Sequence, residues 1–333
     1  TKYGCAVHFD GLKNPGLNDK RLYFYPTQEQ LDEDANELGG INSAEYWSGV
    51  RGFWPPSGIS TTVMDEALLD QFETAKPAIW KGKWEMAGFF DPAFEGGDRR
   101  AFYPAKVGIF SNGLYGIEYQ APIIVGIDAS TDVRWIHYAI SDAVQKVCEN
   151  YEIDGQKHPI SPKNFIMDTT GEGGGLFNVM SGRWSHEIRS CEFGGAAEKQ
   201  QVAQNKPTTY YELYGNRVTA MWYRLRRYIE GSQIRGLSDL GTRRELTSRD
   251  KKMRNGKTVI VPKSEMKLAG HRSPDLADAA VIGGEFLFVT GVQPAGKTGG
   301  GEIVSLDRWN AFAKRTSLAD TEGDYQDEHA AFV

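Results

Sequence analysis

FFDPAFEGGDRRAF at 89–102 and NFIMDTTGEGGGLF at 164–177 decide the reading of this chain: each is an apolar run that ends on an aspartate and passes into glycines. A short apolar run bounded by turn residues reads as a buried strand. Asp91 closes the first run. Pro92 then withholds a ladder donor and stops the pairing, which leaves the carboxylate at the rim of a sheet. Asp168 closes the second run, and the glycines after it let backbone approach a phosphate and open a helix whose N-terminus favours anions. A third acidic cluster, SPDLADAAV at 273–281, sets Asp275 and Asp278 three residues apart in the first turn of a predicted helix. That spacing puts them about 60° apart on one helix face. Carboxylates delivered from two strand ends and one helix start suit magnesium, a hard cation that takes oxygen ligands and keeps several waters. Such a site suits hydrolysis of a phosphodiester.

Each acid also has an ordinary reading. An aspartate at a strand end bonds the turn backbone, and acids at a helix start gain roughly 0.3–1 kcal/mol from the macrodipole with no metal present. Asp98, following EGG, reads as a turn residue or as a ligand acting through water; Glu172 reads as a solvated turn residue and Asp128 as a structural one. The metal reading rests on Asp91, Asp168 and one of Asp275 or Asp278 arriving together.

Working outward, WEMAGFFD, AFYPAKVGIF and LYGIEYQ are three strands joined by short turns, an antiparallel meander, with IIVGID a possible short extension. A helix follows, with Ser130 as its cap and Val133, Ile136, Ile140, Val144 and Val147 at helical spacing. NFIMD is a strand beside the first, GGLFNVM starts a short helix, EIRSCEF is a fifth strand, and NRVTAMWYRLRRYIEG is a long basic amphipathic helix. KTVIVP at 257–262 is a late strand or hairpin, and with Ser273 as N-cap and Pro274 at the first helical position DLADAAVIGGEFLFV is a mostly apolar helix. The fold class is α/β, a mixed sheet with helices on both faces. Upstream, RLYFY at 21–25 reads as a strand and 28–38 as an acidic helix, and Pro55 and Pro56 mark a domain edge. The tail from about Asp307 is acidic and mobile in expectation.

The 333 residues, 40% hydrophobic, are enough for one large core or two smaller ones. The longest apolar stretches, IIVGI at 123–127 and FLFV at 286–289, fall far short of a membrane span. The chain begins TKYGCAVHFD, without an initiator methionine or a signal peptide, and reads as a fragment or processed chain. Cys5, Cys148 and Cys191 are too few and too spread for a disulfide framework or a CxxC zinc site, and no two of the six histidines form an HxxxH pair, so a bound metal should be oxygen-ligated. The net charge of −6 conceals an uneven distribution: Arg217 to Arg272 holds 15 Lys or Arg against 5 Asp or Glu, a basic footprint suited to DNA. Arg224, Arg226, Arg227, Arg243, Arg244, Lys251, Lys252 and Arg254 are its candidate phosphate contacts.

These segments resemble the nuclease domain of the large terminase subunit of tailed bacteriophages, the DNA-packaging motor protein. The strand with DPAFEGGDRR is similar to the family's first acidic motif, FIMDTTGEGGGLFNVM to its second and SPDLADAAV to its third, where many relatives carry His and Asp in place of Ser273 and Pro274. The resemblance implies an RNase H-like fold over residues 61–305, an upstream ATPase or linker remnant over 1–60 and a flexible acidic tail over 306–333. It implies an endonuclease that cuts concatemeric double-stranded viral DNA with little sequence selectivity. Two magnesium or manganese ions, roughly 3.5–4 Å apart, would be held by Asp91, Asp168 and Asp275 or Asp278, with Asp98 at the margin. The implied partners are double-stranded DNA, the ATPase domain, the portal and the small terminase subunit. The implied location is the host cytoplasm, transiently at the procapsid, with no membrane role. ATP hydrolysis is not expected: GVQPAGKT at 291–298 fits the phosphate-loop pattern, but Gly299, Gly300 and Gly301 would break the helix such a loop must open. Alternatives are another RNase H-like nuclease of the junction-resolvase or transposase type, or a non-catalytic module docking on a portal or motor.

Overall fold

The structure is a computed structural model that describes residues 10–19, 21, 25–37, 41, 44–53, 61–94, 98–128, 130–202 and 208–295. Helices α1 (Gln28–Glu37), α2 (Ala44–Gly49) and α3 (Glu66–Gln71) precede the long strand β1 (Trp80–Asp91). β2 (Ala101–Phe110) and β3 (Tyr115–Tyr119) follow as antiparallel neighbours, and the two-residue β4 (Ile123–Ile124) folds back on β2. α4 (Ile136–Glu149) and the small hairpin β5 (Glu152–Ile153) with β6 (Gln156–Lys157) lead into β7 (Phe165–Asp168), α5 (Gly173–Arg183) and β8 (Arg189–Cys191). Then come α6 (Tyr210–Leu213), α7 (Arg217–Glu230), β9 (Ile234–Arg235), α8 (Leu240–Thr247), the hairpin β10 (Lys251–Arg254) with β11 (Lys257–Ile260), α9 (Lys263–Leu268) and α10 (Asp275–Val289).

The main sheet runs β8-β7-β1-β2-β3-β9. β7 lies parallel to β1, β8 parallel to β7 and β9 parallel to β3. An antiparallel meander extended from its first strand by two parallel ones is the RNase H-like arrangement, and the fold class read from the sequence holds.

Alternation along the central strands sorts side chains into two layers. Phe90, Phe102, Phe165 and Met167 join Ile140 and Val144 of α4 and Leu176 and Met180 of α5 on one face. Phe89, Tyr103, Tyr119 and Ile166 join α7 and α10 on the other. α10 is buried almost all round, which fits its near-continuous apolar sequence. Two glycines let it sit that deep. A Cβ on Gly283 would collide with the Tyr119 hydroxyl and stand 2.9 Å from the Phe89 ring, while one on Gly284 would stand 3.2 Å from the Leu225 backbone of α7. Tyr119 donates its hydroxyl to the Ala280 carbonyl at 2.6 Å, tying helix to sheet.

Several local expectations need correction. Ser130 is not a helix cap: Asp128 accepts hydrogen bonds from its N–H and hydroxyl, and Asp132 instead caps a 3-10 turn at Val133–Trp135 that runs into α4. Ser273 is not a cap either, because α10 starts at Asp275 and the Ser273 hydroxyl is buried without a partner. The helix is capped from elsewhere, as described below. α7 carries basic charge as expected but turns much of it inward. Arg224 is fully buried between Glu198 and Glu285, with its guanidinium 3.5 Å above the Phe288 ring. Most of RLYFY, the 54–60 stretch around Pro55 and Pro56, residues 296–298 of GVQPAGKT and the tail fall outside the described residues. Cys148 and Cys191 are free and buried.

The seating of α10 has a measurable consequence. Gly283→Ala gains about 1 kcal/mol of helix propensity, yet the added methyl overpacks the sheet contact, a change that typically costs about 1–3 kcal/mol. Urea denaturation should show Gly283→Ala less stable than the parent, with part of the loss recovered in the Tyr119→Phe background.

Candidate active site

The register of β1 on β7 pairs Gly88 with Phe165, Phe89 with Ile166 and Phe90 with Met167. Asp91 and Asp168 are the next residues on two strands about 4.8 Å apart. Because Phe90 and Met167 point into the α4 and α5 layer, the residues after them point the other way, toward α10. α10 packs across β1, β2 and β7. Its first turn brings Asp275 and Asp278 to the same corner.

Asp91, Asp168, Asp275 and Asp278 keep only 5%, 8%, 2% and 1% of their surface exposed. Asp168 Oδ1 accepts from the Thr170 N–H at 2.9 Å and hydroxyl at 2.6 Å, which fixes its orientation. Asp278 Oδ1 accepts from the Trp222 indole N–H at 3.0 Å. Asp275 Oδ2 accepts from the Arg99 main-chain N–H at 2.8 Å and lies 3.6 Å from its Nε. The opposite oxygens are left over: Asp91 Oδ2, Asp275 Oδ1 and Asp278 Oδ2 are buried and make no hydrogen bond.

The charge that balances them comes from Lys263, at the start of α9. Its Nζ stands 2.7 Å from Asp278 Oδ2, an ion pair outside hydrogen-bond geometry, and 3.8 Å from Asp91 Oδ2. Burial pushes the Asp91 carboxyl well above the usual carboxylate range; Lys263 opposes this, and the charges of Asp278, Asp168 and Asp275 reinforce it. Burial also raises Asp168, with Thr170 pulling back and Asp278 adding to the rise. On Lys263 burial acts to lower the pKa, but Asp278 and Asp91 outweigh it and the ammonium is held more firmly than usual. The charges of Asp168, Asp275 and Asp278 thus all act on Asp91.

Among the described residues no group of three or more His, Cys, Asp or Glu side chains is placed to hold a metal ion as it stands. The donor chemistry is nonetheless of the kind a hard divalent cation takes: Asp91 Oδ2 and Asp278 Oδ2, buried carboxylate oxygens without hydrogen bonds, both lie beside the Lys263 ammonium.

Asp98 does not join this group; its carboxylate pairs with Lys267 of α9 at 3.0 Å. Glu172 is exposed at the start of α5, and Asp128 makes only the local turn contacts already given. The proposed phosphate contacts divide. Arg224 is buried in its ion pairs, and Arg243 is buried against Glu66 and Asp70. Arg226 donates to the Val63 carbonyl and pairs with Glu230, and Arg227 is half-buried. By contrast Arg244, Lys252 and Arg254 are exposed, Lys252 in an ion pair with Glu265, and Lys251 is half-buried. The last three stand on the hairpin of β10 and β11, which turns through Asn255 and Gly256 at φ 51° and 75°. Two residues at positive φ make the tight turn whose twist matches the paired strands.

Sequence reasoning missed four residues. Lys263, Trp222, Arg99 and Glu245 all touch the acids or their helix. Only Arg99, which directly follows Asp98 inside DPAFEGGDRR, offered any signal; the other three lie in segments without a motif.

No protein-family model matches the chain, and no curated protein does. Among solved structures it is similar to the nuclease domain of the large terminase subunit gp2 of bacterial virus Sf6, at 19% identity over 67% of this chain and 98% of that one, with a TM-score of 0.43. A lysine-to-alanine variant of that subunit solved with calcium gives 19% identity, the same coverages and a TM-score of 0.44. Another such variant, solved with manganese and beta-thujaplicinol, gives 18%, the same coverages and 0.43.

Proposed function

We propose that this chain is a metal-dependent endonuclease that cuts concatemeric double-stranded DNA during packaging of a viral genome. The observation that carries the reading is the burial of four carboxylates at one corner, three of them with an oxygen that makes no hydrogen bond, and two of them beside Lys263. Asp91, Asp168 and Asp278 would hold magnesium or manganese, with Asp275 beside them. Asp278 and Asp275 each give one oxygen to a hydrogen-bond donor, Trp222 and Arg99 in turn; Asp278 ranks ahead because its other oxygen already lies against a cation, the Lys263 ammonium. When bound, the metal supplies an activated water and charge stabilisation at the scissile phosphate.

The chain's own residues prepare for this. The Thr170 contacts and the Trp222 indole orient two carboxylates. The Lys263 ammonium, freed from Asp278, is placed to offset charge on a phosphate. The hairpin with Lys251, Lys252 and Arg254, together with Arg244, offers backbone-positioning contacts that read no sequence. The implied partners and host-cytoplasmic location follow from this reading. No helix among the described residues is long and apolar enough to cross a membrane.

Three outcomes test it. Asp91→Asn should remain folded by circular dichroism and lose plasmid cleavage by more than the roughly 10–100-fold that a change in a ligand's supporting partner costs; cleavage at the parent rate sinks the mechanism. Manganese affinity should fall as pH is lowered, because cation binding must displace the proton that burial favours on Asp91. Calorimetry in buffers of different ionisation enthalpy should register that proton release, and a pH-independent affinity would contradict it. Finally, Lys252→Ala and Arg254→Ala should weaken duplex binding equally across sequences and each lower the slope of log K against log salt by about 1.

A further inference from the structure

The start of α10 carries Asp275 and Asp278 but has no capping side chain of its own. Its first free amides are satisfied from another helix. Glu245 of α8 accepts from the Leu276 N–H at 2.8 Å and the Ala277 N–H at 3.1 Å, both through Oε2. Its other oxygen, Oε1, pairs with the Arg99 guanidinium. Arg99 in turn donates its main-chain N–H to Asp275 Oδ2 and brings its Nε near the same atom. One carboxylate therefore joins α8, the loop after β1 and the first turn of α10. The two oxygens act on different partners: one sets where the helix begins, the other holds the arginine that turns Asp275.

We infer that Glu245 is a positioning residue for the proposed metal site, fixing the α10 first turn and, through Arg99, the Asp275 carboxylate. This rests on the nuclease reading above and adds to it a residue that touches none of the cation-facing oxygens. The physical basis is that a carboxylate ligand binds well only when its own outer contacts hold it in place. Here the carboxylate's own contact is Arg99, and Glu245, 31 residues before Leu276, holds both that arginine and the helix start. An anionic acceptor at a helix N-terminus is also favoured by the helix dipole. A capping role alone would change stability and leave cation binding as it was; a positioning role changes both.

The test is manganese binding by the full chain, measured by titration calorimetry, with thermal unfolding of the same samples in the absence of metal. The parent should bind manganese, and Asp278→Ala should lose binding. Glu245→Ala should weaken affinity about 10–100-fold. Glu245→Gln keeps one oxygen for the α10 amides while losing the charge opposite Arg99, and should fall between the two; it also carries the test if the alanine variant does not fold. Thr209→Ala removes the capping box of α6, whose Tyr210 lies against Phe288 at the far end of α10. It should lower the unfolding temperature and leave manganese affinity unchanged. Should Glu245→Ala or Glu245→Gln bind manganese as tightly as the parent despite reduced stability, Glu245 is a helix cap only and the inference falls alone. Should the parent itself bind no manganese, the nuclease reading falls and takes this inference with it.

Discussion

Parallel pairing between β1 and β7 is the constraint on which the site depends. It sets the last residues of two strands side by side, and because side chains alternate, the register that buries Phe90 and Met167 under α4 and α5 also turns Asp91 and Asp168 toward α10. A slip of one residue would send one aspartate into the opposite layer. Packing of the apolar residues thus aims the charged ones.

Bringing four acids together in a dry corner opposes folding, and the surrounding contacts show how the molecule tolerates it. Lys263 neutralises part of the charge, Arg99 takes one oxygen of Asp275, and Thr170 and Trp222 satisfy others. What these leave over are three carboxylate oxygens without a hydrogen bond, on Asp91, Asp275 and Asp278. Elsewhere buried charge is met by ion pairs between opposite charges: Arg224, Glu285, Glu198 and Arg217 form a network between α7, α10 and the loop before α6. At the corner four carboxylates share one close lysine, so like charges outnumber their partners there.

The strands and most helices were legible because their signals are local. WEMAGFFD and NFIMD are short apolar runs with stop residues, and the apolar spacing of α4 is periodic. The acids stood out for the same reason, each terminating such a run before glycine or proline. What could not be read was anything that depends on who meets whom across the fold. Ser273 looked like a cap because the sequence cannot show that Glu245, from α8, occupies that role. Arg224 and Arg243 looked like surface charge because their acidic partners lie far off in the chain. Lys263 follows a proline at the end of an unremarkable strand, and only the folded chain brings it to Asp278.

The depth of α10 bears on how such a site can be controlled. A helix enclosed on nearly every side, with two glycines seated against its neighbours, cannot tilt or slide without opening the core. The acids at its start are thereby anchored to the stiffest part of the molecule. A change at this corner therefore falls to the side chains around the helix, Lys263 among them, rather than to the carboxylates themselves.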